Sequence, residues 1–206
     1  MSRRIALFGG SFDPFHIGHF LVAQKVWEDF RPQEVVFLPC AQSPLKKNPP
    51  QATDEVRLEC LRGGLRGLKW AKVSDWEIRQ KGSSYSIDTV LHWKKICPGV
   101  SLDWVLGSDQ WAQIRHWRNY RELGRQVRFL VFPRPHPPRP ISGMKMVCVP
   151  VRYDLSASEV RHRVRRGLTV KGMIFPEVRE LSGEQGATAD GGWNRIGEEV
   201  PGNGGE

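Results

Sequence analysis

Six short apolar runs, at residues 5–8, 35–38, 70–73, 102–106, 127–132 and 146–149, alternate along this chain with stretches of helical patterning. That alternation reads as a series of βαβ units. It predicts an α/β fold: a Rossmann-like, doubly wound, mainly parallel sheet with helices on both faces. After the first run, Phe20, Ala23, Val26, Trp27 and Phe30 recur at helical spacing, so a helix from about Ile17 can lay one apolar stripe on the sheet. Start and stop signals place further helices over 54–66 behind Thr53-Asp54-Glu55, and over 87–96 between Ser86 or Asp88 and Pro98-Gly99. Another runs from a cap at Ser156 or Ser158 to Arg166, ended by Gly167, and a short one falls at 176–181.

Two segments do not read as core. Residues 133–140, Pro-Arg-Pro-His-Pro-Pro-Arg-Pro, must run as an extended loop, because proline fixes φ and removes donors. From Ser182 onward, glycine and polar residues dominate apart from Trp193, Ile196 and Val200. The expectation is one domain over residues 1–181 and a disordered tail over 182–206.

The formal charge of +9 asks for an anionic partner. The basic residues are scattered beside loops, at 3–4, 46–47, 115–128 and 161–171, and form no continuous block or helical stripe. A small polyphosphate explains that scatter as well as nucleic acid does, and the reading expects no nucleic-acid partner. No apolar run approaches the roughly 18 residues that would span a bilayer, and four apolar residues behind Arg3-Arg4 are too few for a signal peptide, so a cytoplasmic protein without a membrane partner is expected. Cys40, Cys60, Cys97 and Cys148 lie far apart with no CxxC pair, which suggests reduced, mostly buried thiols and no zinc site.

The chemistry concentrates in Gly9-Gly10-Ser11-Phe12-Asp13-Pro14-Phe15-His16-Ile17-Gly18-His19, directly behind the first strand. A strand that ends in two glycines lets a ligand approach the backbone N–H groups, since no Cβ intervenes. The helix that follows points its N-terminus and dipole at the same place, which favours an anion. His16 and His19, three apart, share a face and can donate to phosphate oxygens. Taken singly, each histidine reads as a capping or core side chain. A metal site would need a third ligand, and Asp13, the nearby candidate, suits turn formation before Pro14 better.

This motif resembles the signature of the HxGH nucleotidyltransferases, and specifically of bacterial nicotinate-nucleotide adenylyltransferases. The similarity continues in order through residues 76–90 (Trp-Glu-Ile-Arg-Gln-Lys-Gly-Ser-Ser-Tyr-Ser-Ile-Asp-Thr-Val) and through Leu106-Gly107-Ser108-Asp109 with Trp117 beyond it. It extends to Leu155-Ser156-Ala157-Ser158-Glu159-Val160-Arg161 and to Ile174-Phe175-Pro176-Glu177-Val178. The Ser-x-Ser-x-x-Arg stretch is also an anion site in its own right, with hydroxyls and free N–H groups at a helix start and an arginine fork behind them.

The resemblance implies that ATP is held by Gly9, Gly10, Ser11, Phe12, His16, His19, Gly107, Asp109, Ser156, Ser158 and Arg161, with Asp109 accepting from ribose hydroxyls. It implies that nicotinate mononucleotide is held by Ser11, Lys46, Tyr85, Ser86, Trp117 and Arg118. There Trp117 stacks on the pyridine ring, Arg115 and Arg118 raise the local potential, and N–H groups near Tyr85-Ser86 take the carboxylate. His16, His19, Lys46 and Arg161 are implied as catalytic, with Mg²⁺ accompanying ATP and no protein metal site. One departure stands out: Leu45 occupies a position where the family usually has histidine, while Lys46 beside it is kept. Arg57 matches a usual arginine and reads equally as a structural pair.

The implied reaction transfers the adenylyl group of ATP to nicotinate mononucleotide, giving deamido-NAD and pyrophosphate. Nicotinamide mononucleotide and phosphopantetheine are the alternative acceptors, and a basic nucleic-acid-binding module is the alternative of another class. The sequence leaves monomer and homodimer equally open.

Overall fold

The computed structural model describes residues 3–46, 48–134, 136–151 and 153–181. Its centre is a six-stranded sheet, all parallel: β1 (Arg4–Gly10), β2 (Glu34–Pro39), β3 (Ala71–Val73), β4 (Ser101–Gly107), β5 (Val127–Phe132) and β6 (Met146–Cys148). The strand order is β3-β2-β1-β4-β5-β6. The chain thus winds outward from β1 to one edge, returns to β4 and winds to the other, which is the doubly wound topology expected from the alternation.

Helices cover both faces. The first core gathers Ala6 and Phe8 of β1 with α1 (Ile17–Phe30), α2 (Asp54–Gly64), α7 (Ala157–Arg165) and α8 (Pro176–Leu181) through Val22, Val26, Leu61, Val160 and Val178. The second gathers Ile5 and Leu7, the alternate positions of the same strand, with α4 (Ser86–Ile96), α5 (Ser108–Trp111) and α6 (Tyr120–Gln126) through Val90, Trp111 and Leu123. Successive strand residues point to opposite faces, so one apolar run feeds two cores. Asp103, fully buried in β4, ties the amino-terminal end of the sheet together: it accepts from Arg4 Nη1 at 2.8 Å and from Arg128 Nε and Nη2, each at 2.8 Å.

The expected helices stand with small shifts of boundary: 54–66 ends at Gly64, 87–96 begins at Ser86, and Ser156, not Ser158, caps α7. Sequence patterning missed α3 (Trp76–Arg79), α5 and α6, which are too short to show a period. The thiol expectation needs correcting. All four cysteines are free, but only Cys40 and Cys60 are buried; Cys97 is half-buried and Cys148 exposed. Burial pushes the Cys60 thiol up to about 12. No described helix is long and apolar enough to cross a membrane. The segment 182–206, expected as a tail, lies outside the described residues.

Candidate active site

A cavity of about 850 Å³ opens beyond the carboxyl ends of β1 and β4, where the winding changes direction. This is where open α/β sheets bind ligands, and the volume suits a nucleotide. Gly9 and Gly10 from one strand, and Trp104, Leu106 and Gly107 from the other, line it. The glycines are needed for a reason the sequence reading did not foresee. A Cβ on Gly9 would stand 2.9 Å from the Trp104 ring, one on Gly10 3.1 Å from Phe12, and one on Gly107 2.4 Å from Asp109 Oδ1. The protein's own side chains thus crowd the space that a Cβ would take, most firmly at Gly9 against the Trp104 ring.

His16 is the N-cap of α1 and His19 its third residue. Their rings stack 3.7 Å apart, so the two imidazoles share a face as expected. Only His19 lines the cavity; His16 is packed against it, just 2% exposed, with both ring nitrogens lacking a hydrogen-bond partner among the described residues. The glycine between them makes this packing fit, because a Cβ on Gly18 would come within 3.1 Å of the His16 ring.

The backbone N–H of His16 donates to His19 Nδ1 at 3.3 Å. A neutral imidazole that accepts at Nδ1 carries its proton on Nε2, and that proton is the donor a phosphate oxygen would meet. Both rings are neutral near pH 7: burial, then Arg134, pushes His16 down to about 3, and burial, with His16, Arg134 and Lys46, holds His19 well below the usual histidine range. Any donation from the pair to phosphate oxygens is therefore that of a neutral imidazole. The helix start also offers fewer free donors than a bare N-terminus, since Ile17 N–H donates to the Met173 carbonyl at 2.8 Å.

The start of α7 reaches the same cavity. Ser156 does not line it; its hydroxyl accepts from Glu159 N–H at 3.1 Å and caps the helix. Ala157 and Ser158 do line the cavity, and as the first two helical residues their N–H groups have no intrahelical acceptor. Arg161, one turn on, donates to Ser158 Oγ at 3.2 Å and through Nη1 to the Asp13 carbonyl, while its buried Nε has no partner among the described residues. Asp13 in turn accepts from Gln51 and Ala52 N–H at 2.8 and 3.1 Å, and so joins the loop after β1 to the entry of α2 and to α7. Arg57 is the structural pair foreseen as one of two readings, fully buried between the Ser11 carbonyl and Asp54.

At the other end of the cavity, Trp117 stands edge-on to Trp104 with ring centroids 6.3 Å apart. Asp88 and Thr89 N–H groups return to the Tyr85 carbonyl, which leaves those of Ser86 and Ile87 as the open donors of α4. Arg118 lines the cavity but is already engaged, lying 3.7 Å over the Tyr85 ring and paired with Asp88. Lys46 Nζ donates to Ser11 Oγ at 2.9 Å across the mouth, next to the exposed Leu45. Gly107 and Asp109 lie together, and the buried Oδ1 of Asp109 has no partner among the described residues. Arg115, by contrast, does not line this cavity but a second groove.

Arg134 and Glu77 are among the lining residues to which the sequence assigned no role. Arg134 enters from the proline-rich loop, which is clasped to α5: Ser108 Oγ donates to the His136 carbonyl at 2.5 Å and Trp111 Nε1 to the Arg139 carbonyl at 2.8 Å. Glu77 is buried beneath the cavity and accepts from Thr89 Oγ1 at 2.6 Å; burial raises its carboxyl above the usual range. A cation inside a run of prolines was the available signal for Arg134.

A cytidylyltransferase-like family model matches residues 7–163. A probable nicotinate-nucleotide adenylyltransferase of Methylacidiphilum infernorum is 38% identical over 191 residues, 88% of this chain and 92% of that protein. One from Opitutus terrae is 38% identical over 172 residues, 81% of this chain and 88% of that protein. In three dimensions, Plasmodium falciparum nicotinic acid mononucleotide adenylyltransferase complexed with NaAD is similar with a TM-score of 0.73, covering 86% of this chain and 93% of that one. At 19% identity that last likeness speaks for the fold.

Proposed function

The chain belongs to the cytidylyltransferase-like family and, within it, to the nicotinate-nucleotide adenylyltransferases, and from that membership we propose that it transfers the adenylyl group of ATP to nicotinate mononucleotide. The observation that carries this reading is convergence: the starts of α1 and α7, the Gly107–Asp109 turn, and the Trp117 and Tyr85-Ser86 end all line one cavity. It is a two-ended site with donors for phosphate in its middle.

In the proposed reaction, an oxygen of the mononucleotide's 5′-phosphate attacks the α-phosphorus of ATP in line. The new O–P bond forms as the bond to the β-phosphate oxygen breaks, and pyrophosphate leaves with that electron pair. Such transfers are driven mainly by positioning and by stabilising charge on the phosphoryl oxygens. His19 Nε2–H, the Ala157 and Ser158 N–H groups, Lys46, Arg134 and Arg161 supply that stabilisation, and Asp109 Oδ1 accepts from the ribose. Trp117 carries the pyridine ring, and the Ser86 and Ile87 N–H groups take its carboxylate.

ATP enters as its Mg²⁺ complex, with the ion neutralising phosphate charge. The lining fits that arrangement: its donors are cations, amides and hydroxyls, Asp13 is engaged by two amides, and among the described residues no group of three or more His, Cys, Asp or Glu could hold a metal. Phosphates and water then hold most of the ion's coordination sphere. Both substrates are small cytoplasmic metabolites, and we place the protein there.

The test is pyrophosphate release measured side by side with nicotinate mononucleotide, nicotinamide mononucleotide and phosphopantetheine. The acid is expected to be used best. Turnover of either other acceptor at an equal or higher kcat/KM would overturn the assignment.

A further inference from the structure

A second concave site lies outside the one just described, a groove of about 610 Å³ between α6 and the turn at residues 141–144. Arg115, Arg121 and Arg125 line it together with Tyr120, Ile141 and Met144. One of these arginines is balanced, since Arg125 Nη1 pairs with Glu122 at 3.2 Å. Arg115 and Arg121 have no carboxylate partner among the described residues, and both are exposed. The groove therefore carries uncompensated positive charge at Arg115 and Arg121, with the Tyr120 ring beside Arg121, its centroid 5.5 Å from the guanidinium, and Ile141 and Met144 on the facing turn.

Its walls are anchored. Met144 packs so closely on α6 that a Cβ on Gly124 would meet its Cε at 3.1 Å, and Met144 N–H donates to the Ile141 carbonyl at 3.1 Å. The chain just before the turn is held by the bond from Trp111 to the Arg139 carbonyl. An anchored cleft of this volume, with arginines, a phenol ring and apolar side chains in one lining, differs from a flat basic face, which would suit the backbone of an extended nucleic acid. The segment that leads into Trp117 also builds it: Arg115, Tyr120 and Arg121 line this groove, while His116, Trp117 and Arg118 line the cavity between the strand ends.

We propose that this groove is a binding site for a small phosphate-bearing molecule, with Arg115 and Arg121 gripping the phosphates and Tyr120, Ile141 and Met144 taking an attached apolar or ring portion. Guanidinium groups are the side chains best matched to phosphate oxygens. The site does not depend on which acceptor the other cavity adenylates.

Calorimetric titration of the full chain with inorganic tripolyphosphate tests this, comparing wild type, Arg121→Gln and the charge reversal Arg121→Glu. Wild type should take up two equivalents, one in each site. Both variants should lose one equivalent, or bind it at least about tenfold more weakly, with pyrophosphate release in the transfer assay unchanged. A parallel titration with ATP distinguishes the sources: tighter ATP binding in the groove identifies a nucleotide, and equal binding a bare polyphosphate. Identical stoichiometry and affinity in wild type and both variants would overturn the proposal. So would variants that lose only the binding of a single-stranded oligonucleotide. Wild type that binds two equivalents but transfers nothing would sink the catalytic reading and leave this one standing.

Discussion

The guanidinium of Arg161 donates to the backbone carbonyl of Asp13, 148 positions earlier in the chain, and stands 3.7 Å from its carboxylate. One side chain thus joins the loop behind the first strand to the start of α7. Replacing it should act on both stability and turnover. Arg161→Ala is expected to cost about 1–3 kcal/mol by removing a charge-assisted hydrogen bond to the Asp13 carbonyl, and to lower kcat by on the order of 10²–10³ through loss of a phosphate donor. Urea unfolding and steady-state kinetics on one preparation check the two effects. A kcat within threefold of wild type would confine Arg161 to the structural role.

His19→Ala removes a donor without removing a charge, because the imidazole is neutral near pH 7. Substrate KM values should move little while kcat falls by on the order of 10²–10³. Near-normal turnover would take His19 out of the mechanism.

The buried histidines make the fold sensitive to acid. An imidazole that titrates at 6.5 in the unfolded chain titrates at about 3 for His16 and well below its usual range for His19. Between those limits the unfolded chain binds protons that the folded chain does not. Stability is therefore complete above about pH 6.5 and drains as pH falls toward 3, at roughly 1.4 kcal/mol per pH unit for His16, with His19 acting in the same direction. Urea midpoints at pH 7.5, 6, 5 and 4 should show a flatter slope for His16→Gln than for wild type. Equal slopes would mean that His16 is not the group responsible. Glu77, raised by burial, works in the opposite sense above its unfolded pKa and is common to both proteins.

Arg134 depresses both histidines and lines the cavity. Arg134→Gln should weaken transfer by roughly 10²-fold, as expected for loss of one preorganised donor. It should also move the acid limb of stability to lower pH only slightly, since burial is the larger cause. An unchanged kcat/KM for ATP would show that the loop brings the arginine close without using it.

Gly18→Ala tests the glycine between the histidines. Alanine favours the helix by up to about 1 kcal/mol, but its Cβ would crowd the His16 ring at 3.1 Å, and that ring is braced against His19. Stability should stay within about 1 kcal/mol of wild type while turnover falls tenfold or more, because small misplacements of reacting groups are costly. Full activity would show that the ring yields without moving its neighbour.

Much of the fold was legible because it rests on local signals. The run Ile5 to Phe8 announces a strand, Thr53 and Ser156 announce helix starts through their capping hydroxyls, and the spacing of Phe20, Ala23, Val26 and Trp27 announces the buried stripe of α1. The site was legible in outline for the same reason, since strand ends and helix starts mark where donors are free. The short helices α3, α5 and α6 gave no such signal. Their few turns are held by contacts far along the chain, such as Ser108 with the carbonyls of the proline-rich loop.

What the sequence by itself determined is therefore the βαβ alternation, the helix starts and the residue types that meet phosphate: properties set within a few residues by propensity, capping and periodicity. What only the tertiary structure decided is how those groups are shared out. It placed His19 at the cavity and His16 against it, kept Ser156 for a cap, engaged Arg118 with Tyr85 and Asp88, brought in Arg134 and turned Arg115 to another groove. Hydrogen-bond partners and burial are contests between groups distant in sequence. They are settled only when the sheet brings those groups within a few ångströms of one another.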